Sequence, residues 1–189
     1  ASLLQDGDPE RLRVGDYVLV DRLGGGDCAT YMARSIGGGP VVVLKEIVAP
    51  ADRRAAIKGR VDDLCTRGRD FSTSHVVTPD ACYDEAGRFF VVSRFVGGVD
   101  ARSRIVRHGR VPGEAVAEIA RQLLTGLAVA HRRGLPHGDV RLSNLRLTPR
   151  GEAVLVNHGL RCAVSPILRI DDSRAPEWYE GVAPERIGT

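Results

Sequence analysis

The stretch LPHGDVRLSN, Leu135 to Asn144, decides the reading of this chain, and LVNHGL, Leu155 to Leu160, completes it. In the first, His137, Asp139 and Asn144 follow the spacing H-x-D-x-x-x-x-N. An aspartate fixed in a loop can orient a hydroxyl and accept its proton. An asparagine just beyond it offers the neutral oxygen that a hard cation prefers. Asx-rich turns between a helix and a strand use the same residues for purely local hydrogen bonds. Position favours the chemical reading, because the loop directly follows the clearest helical pattern in the chain.

That helix is predicted over residues 114–133. Val116, Ile119, Ala120, Leu123, Leu124 and Leu127 recur at three- and four-residue spacing and are expected to face the core. Beyond the loop, short strands at 145–147 and 153–156 flank the turn TPRGE. Towards the N-terminus, YVLVDRL (17–23), TYMARS (30–35) and VVVLKEI (41–47) are rich in β-branched residues and are joined by GGGDCA and GGGP, which predicts an antiparallel meander. ADRRAAIKGRVDDLCT (51–66) fits a helix with Ile57, Val61 and Leu64 on one face. HVVTPDACY and RFFVVSRFV read as two further strands around a turn at DEAG. Strands gather in the first half and helices follow, so the class is α+β.

The 189 residues suit one domain or one compact unit of two lobes. A hydrophobic content of 43% is enough for a real core. No apolar run approaches the roughly 18 residues of a membrane helix. No basic-then-apolar leader opens the chain, and the first residue is Ala1 rather than Met, which fits a piece of something longer. The net charge is +3, with arginines and acids interspersed, a solvated surface rather than a nucleic-acid footprint. Cys28, Cys65, Cys82 and Cys162 form no C-x-x-C pair, so no zinc is expected and a reducing, cytoplasmic setting is.

Gly24, Gly26 and Ala29 form G-x-G-x-x-A between two predicted strands. A glycine turn lets backbone N–H groups approach phosphate oxygens, although most such turns only close a hairpin. Lys45 lies in the apolar strand that follows. All but two of the 27 cations are arginine, the exceptions being Lys45 and Lys58. A compact ammonium aimed at phosphates is a reason to use lysine in a chain that otherwise writes positive charge as arginine.

In this order and spacing, the three features resemble the protein kinases of the serine/threonine kind. LGGGDCATYMAR resembles the glycine-rich loop, VVVLKEI the strand of the ATP-contacting lysine, HGDVRLSN the catalytic loop and VNHGL the D-F-G segment. VAPER (182–186) resembles the A-P-E segment, with APE at 175–177 as a competing register. The resemblance implies a two-lobe fold: a lead-in over 1–15, an antiparallel five-stranded N-lobe with one helix over 16–97, and a shortened, mainly helical C-lobe over 98–189. It implies ATP held by Gly24, Gly26, Ala29 and Lys45, with Ser93 as gatekeeper and Arg94 and Val96 in the hinge. It implies Asp139 as base, assisted by Arg141 and Asn144, and Mg²⁺ at Asn144 and Asn157.

The departures are as informative. Ala29 replaces the third loop glycine. The helix glutamate expected to pair with Lys45 falls on Arg60 when aligned on Leu64, with Asp62 or Asp63 as the carboxylates of a shifted register. Glu46 cannot substitute, because adjacent strand residues face opposite sides. The arginine of the catalytic loop is Gly138 and its lysine is Arg141. Asn157 stands for the metal-binding aspartate, removing a formal charge beside Mg²⁺. The expectation is therefore a pseudokinase, a binding or regulatory module that holds ATP and Mg²⁺ weakly or not at all. The alternative is an active serine/threonine kinase using Asp139. H-G-D followed by Asn is also similar to the aminoglycoside and choline kinases. The expected partner is a protein, the remainder of a parent chain or a second copy. The segment 160–182, with Ser165, Ser173 and Tyr179 but no Thr, is expected to be mobile.

Overall fold

The computed structural model describes residues 13–24, 28–69, 73–85 and 87–168. The chain divides into two compact units, Ala1–Gly68 with Pro79–Phe95, and Arg69–Thr78 with Val96–Thr189. The lead-in before Arg13, Gly26 of the glycine turn and both APE registers lie outside the described residues.

The first unit is an antiparallel sheet of β1 (Arg13–Val14), β2 (Tyr17–Gly24), β3 (Thr30–Ser35), β4 (Val41–Ile47), β5 (Pro79–Glu85) and β6 (Arg88–Arg94), in the order β1-β2-β3-β4-β6-β5. It has six strands rather than five. Arg13 and Val14, assigned from sequence to the lead-in, pair with Val18 and Tyr17, and Val14 is buried among core side chains. Alternating residues of the strands, including Leu19, Tyr31, Ala33, Val42, Leu44, Phe90 and Val92, build that core. The sheet curls until its edges meet. Gly15, at φ 54° in the first turn, lies flat on Tyr83 of β5, where a Cβ would stand 2.4 Å from Cε1. Its N–H donates to the Glu85 carboxylate at 2.8 Å. Only glycine accepts both that φ and that approach.

Helix α1 (Ala51–Arg69) buries Ile57, Val61, Leu64, Cys65 and Gly68. Each fully buried aliphatic side chain contributes about 1.5–3 kcal/mol. Polar ties fix the helix to β5. The Cys82 thiol donates to Asp62 Oδ1 at 3.2 Å, and Arg54 pairs with Asp84 at 3.4 Å.

The second unit holds β7 (Val99–Asp100), α2 (Ala101–His108), α3 (Gly113–Arg132), β8 (Leu145–Leu147), β9 (Ala153–Leu155) and α4 (Leu160–Leu168). Its three strands pair in the order β7-β8-β9. HVVTPDACY is not one strand. Val76 forms a parallel bridge with Leu155 of β9, flanked by hydrogen bonds from Val77 N to Leu155 O and from Leu155 N to His75 O. Pro79 then opens β5 in the other unit. Proline has no N–H to continue a ladder, so it begins a strand more easily than it extends one.

Two expectations are corrected here. The apolar stripe of α3 is only partly its inward face: Ile119, Leu123 and Leu127 are half-buried, while Leu124 is 66% exposed and Val116 49%. The buried residues are Gln122, Gly126 and Ala130, one turn apart. Gly126 explains this, because a Cβ there would stand 2.9 Å from Val76 Cγ2 and 3.0 Å from His75 Cβ. Small side chains let α3 approach the 75–76 backbone more closely than a leucine stripe would. The start of the segment expected to be mobile is also ordered as α4, with Leu160, Ala163 and Val164 buried. Ser173 and Tyr179 lie outside the described residues. No helix among the described residues is long and apolar enough to cross a membrane.

Candidate functional site

The loop after α3 is built around two buried histidines. Gly134, at φ 64°, turns the chain out of the helix, and Leu135 is buried behind it. His137 Nδ1 accepts the Asp139 N–H at 3.2 Å, so Nε2 carries the proton and donates to Val156 O at 3.2 Å. Those partners fix a neutral tautomer. Burial pulls its pKa down from the ordinary 6.5 to about 4. His158, in the position of the D-F-G phenylalanine, meets His137 edge to face with ring centroids 5.1 Å apart. Burial, then the neighbouring His137, lowers its pKa to about 4 as well. Leu135 O accepts from His158 Nε2 at 3.1 Å, and His137 O accepts from Gly159 N at 3.0 Å. The loop and the NHG segment therefore hold each other directly.

Asp139 is the hub of the polar network. Arg141 donates to Oδ1 through Nε at 2.8 Å and through Nη2, and Arg161 of α4 adds an ion pair to the same oxygen at 3.3 Å. Asn144 Nδ2 donates to Oδ2 at 2.7 Å and to the Asp139 carbonyl at 2.8 Å. Both of those partners are acceptors only, so the Asn144 amide has one allowed orientation. Its Oδ1 must face the other way, and there Asn157 Nδ2 donates to it at 2.9 Å. The orientation of Asn157 follows in turn, since its own oxygen at that place would oppose another oxygen. Asn157 is at φ 64°, a left-handed conformation that asparagine tolerates better than most residues.

This arrangement tests whether Mg²⁺ suits the site. Asn144 and Asn157 bring two neutral amides and no carboxylate, and the Asn144 oxygen is already taken by the Asn157 NH₂. Hard divalent cations are held by carboxylates and free oxygens. The pair thus offers neutral amide oxygens without formal charge, a weaker pull on a hard cation than a carboxylate gives.

Gly138 lies between the two catalytic-loop residues at φ 76°, and a Cβ there would stand 2.2 Å from Cys162 Sγ. The arginine of the family pattern has no room at this point. Arg161 and Cys162, neither singled out from sequence, thus dock α4 onto Asp139 and Gly138. The sequence signal for them was slight: an arginine among 25 and a thiol outside any pair pattern.

The remaining site residues are placed within their own units. In the first, Gly24 pairs with Thr30 and Thr30 with Lys45, while Ala29 O accepts from Glu46 N at 2.8 Å. The strand positions therefore bring Gly24, Ala29 and Lys45 to one end of the meander. Ser93 stands opposite Val43, and Arg94 opposite Val42. Glu46 points away from Lys45, as strand alternation requires. Arg88 clamps its carboxylate at 2.6–2.7 Å and holds its pKa below the usual range. The two alternative carboxylates of α1 are also engaged, Asp62 with Lys58 at 2.5 Å and Asp63 with Arg67 at 3.5 Å. In the second unit, Val96 packs with Val77 and Val154.

Comparison with known proteins agrees with this anatomy. A family model described as protein kinase domain matches residues 17–189. The probable serine/threonine-protein kinase PkwA of Thermomonospora curvata is 34% identical over 156 residues, which are 80% of this chain and 20% of that protein. Serine/threonine-protein kinase PknD of Mycobacterium tuberculosis is 34% identical over 177 residues, 92% of this chain and 26% of that protein. The chain thus spans about a quarter or less of the length of these relatives. Among solved structures, the PknI kinase domain of M. tuberculosis superposes with a TM-score of 0.66 at 24% identity, over 78% of this chain and 61% of that one. Rad53 residues 1–466, solved with AMP-PNP, gives a TM-score of 0.64 at 21% identity, over 77% and 38%. With the loop architecture and the family match in agreement, the chain belongs to the protein kinase family.

Proposed function

We propose that this kinase domain has lost phosphoryl transfer and serves as a pseudokinase, a binding or regulatory module. One observation carries the reading: Asn157 donates its amide to Asn144 Oδ1, turning the two metal positions towards each other. In the serine/threonine kinases, Mg²⁺ bridges the phosphates and neutralises developing charge. Nothing in this amide pair supplies the negative charge that attracts the ion. Asp139, meanwhile, is held by two guanidiniums and an amide, so both of its oxygens are engaged. The family uses ATP, and ATP is expected to bind here weakly or not at all. The partner is a protein or the rest of a parent chain, docking where the exposed Val116 and Leu124 of α3 stand. Four free thiols accord with a cytoplasmic setting.

A thermal shift separates this from retained nucleotide binding. A ligand at 100 times its Kd stabilises by about 2.7 kcal/mol, which is roughly 5–10 °C for a chain of this size. No such shift is expected with low-micromolar Mg²⁺-ATP, and any response to ATP should be indifferent to chelation of the metal. A full, metal-dependent shift would contradict the proposal.

The second reading, an active serine/threonine kinase, is favoured by the intact pairing of Asp139 with Arg141 and Asn144. It requires Asn157 to turn its oxygen outward and Arg161 to leave Asp139.

A further inference from the structure

From Ala101 to Gly113 the chain carries Arg102, Arg104, Arg107, Arg110 and His108, and no Asp or Glu. Several arginines elsewhere are matched with acids in ion pairs, as in Arg54–Asp84, Arg67–Asp63, Arg88–Glu46 and Arg121–Glu118. Among the described residues none of these four arginines has such a partner. The nearest preceding acid is occupied: Asp100 caps α2 by accepting the Ser103 N–H at 2.8 Å. Arg146, opposite Asp100 on β8, adds another cation beside the helix. Arg104 tucks its Nη1 out of solvent with no hydrogen-bond acceptor. The others are exposed, and with them Val106, at 78%. Arg102 and Val106 are one turn apart and share a face of α2.

We infer that α2 and the turn after it form a docking surface for a short acidic segment of a partner protein, with an apolar side chain of that segment over Val106. Charge complementarity selects the partner, since a cationic patch with no acid paired to it among the described residues steers and orients an anionic segment. A membrane is disfavoured, because α2 is about 12 Å long and offers only Ile105 and Val106 as exposed apolar residues, too narrow a face to insert. Nucleic acid is disfavoured because no Phe, Tyr or Trp lies between Val96 and Glu177 to stack a base. The inference is independent of whether the domain transfers phosphate.

The test is fluorescence anisotropy of a dye-labelled, glutamate-rich decapeptide with a central leucine, titrated with the 189-residue chain. Saturable binding is expected, weakening at least about tenfold as salt rises from about 50 mM to about 500 mM, where screening shortens to a few ångströms. The triple variant Arg102→Glu/Arg107→Glu/Arg110→Glu should lose about tenfold or more, and Arg121→Glu on α3 should lose nothing. Circular dichroism of each variant verifies the fold. Absence of saturation, or equal binding by the triple variant, would overturn the inference. So would tighter binding to phosphatidylserine vesicles or to a single-stranded oligonucleotide, which would assign the surface to a membrane or to nucleic acid.

Discussion

The orientation of one amide fixes the hydrogen bonds around Asp139. Asn144 spends its NH₂ on two acceptors of Asp139, which obliges its oxygen to meet Asn157. Asn157→Asp would put a carboxylate against that oxygen, acceptor against acceptor. The expected cost without metal is about 1–3 kcal/mol, read as a lower denaturation midpoint, with partial recovery in millimolar Mg²⁺. Transfer should return only slightly, since Asp139 stays held by Arg141 and Arg161. Gly138 offers a second test. Gly138→Ala combines a left-handed φ with a Cβ on Cys162 Sγ and should cost about 2–4 kcal/mol. Adding Cys162→Ala should recover the steric part and leave about 1 kcal/mol of backbone strain. Equal costs for the single and double variants would mean that the thiol contact is not real. The loop spacing made Asp139, Asn144 and Asn157 legible in the sequence. The amide orientations were not, because they follow from where each hydrogen bond terminates rather than from residue type.

At the scale of elements, α3 separates periodicity from burial. The leucine and valine spacing identified the helix correctly to within a residue at each end, yet the face against the unit is Gln122, Gly126 and Ala130. Gln122 Oε1 accepts the Ala153 N–H at 2.7 Å, while its Nε2 donates to Glu118 and to Gly151 O. Gln122→Leu should therefore cost about 2–3 kcal/mol, although it makes the helix more apolar, because buried backbone groups lose partners. Leu124→Arg should change stability by less than about 0.5 kcal/mol and reduce apolar-dye binding or self-association. The reverse ranking in urea denaturation would show that the leucine stripe is the core face after all. A period reports that a helix has an apolar side; it does not say which neighbour is small enough to be approached. α2 and α4 were missed for a related reason. Each is short, and α4 is fixed by contacts with the catalytic loop rather than by its own propensity.

For the whole molecule, the buried histidine pair sets an acid limit. Both native pKa values, about 4, lie below the ordinary 6.5, so between those values the unfolded chain binds more protons than the folded one. The stability this contributes is complete above about pH 6.5 and is lost as pH falls towards 4. Melting temperature should decline across that window, and His158→Phe should flatten the decline while lowering the value at pH 7.5, because Leu135 O loses its donor. An unchanged slope would mean that the pair is not the source.

The central claim is that the loop of a protein kinase survives here with its chemistry removed. Its most direct test is transfer of radiolabelled phosphate from ATP to a generic protein substrate, in Mg²⁺ and again in Mn²⁺, for the unmodified chain and for Asp139→Ala. The account predicts incorporation at background for both proteins with either metal. Each 1.36 kcal/mol lost from transition-state stabilisation is a tenfold in rate, and the missing metal charge amounts to several such factors. Robust incorporation by the unmodified chain, abolished by Asp139→Ala, would contradict the account and establish an active kinase.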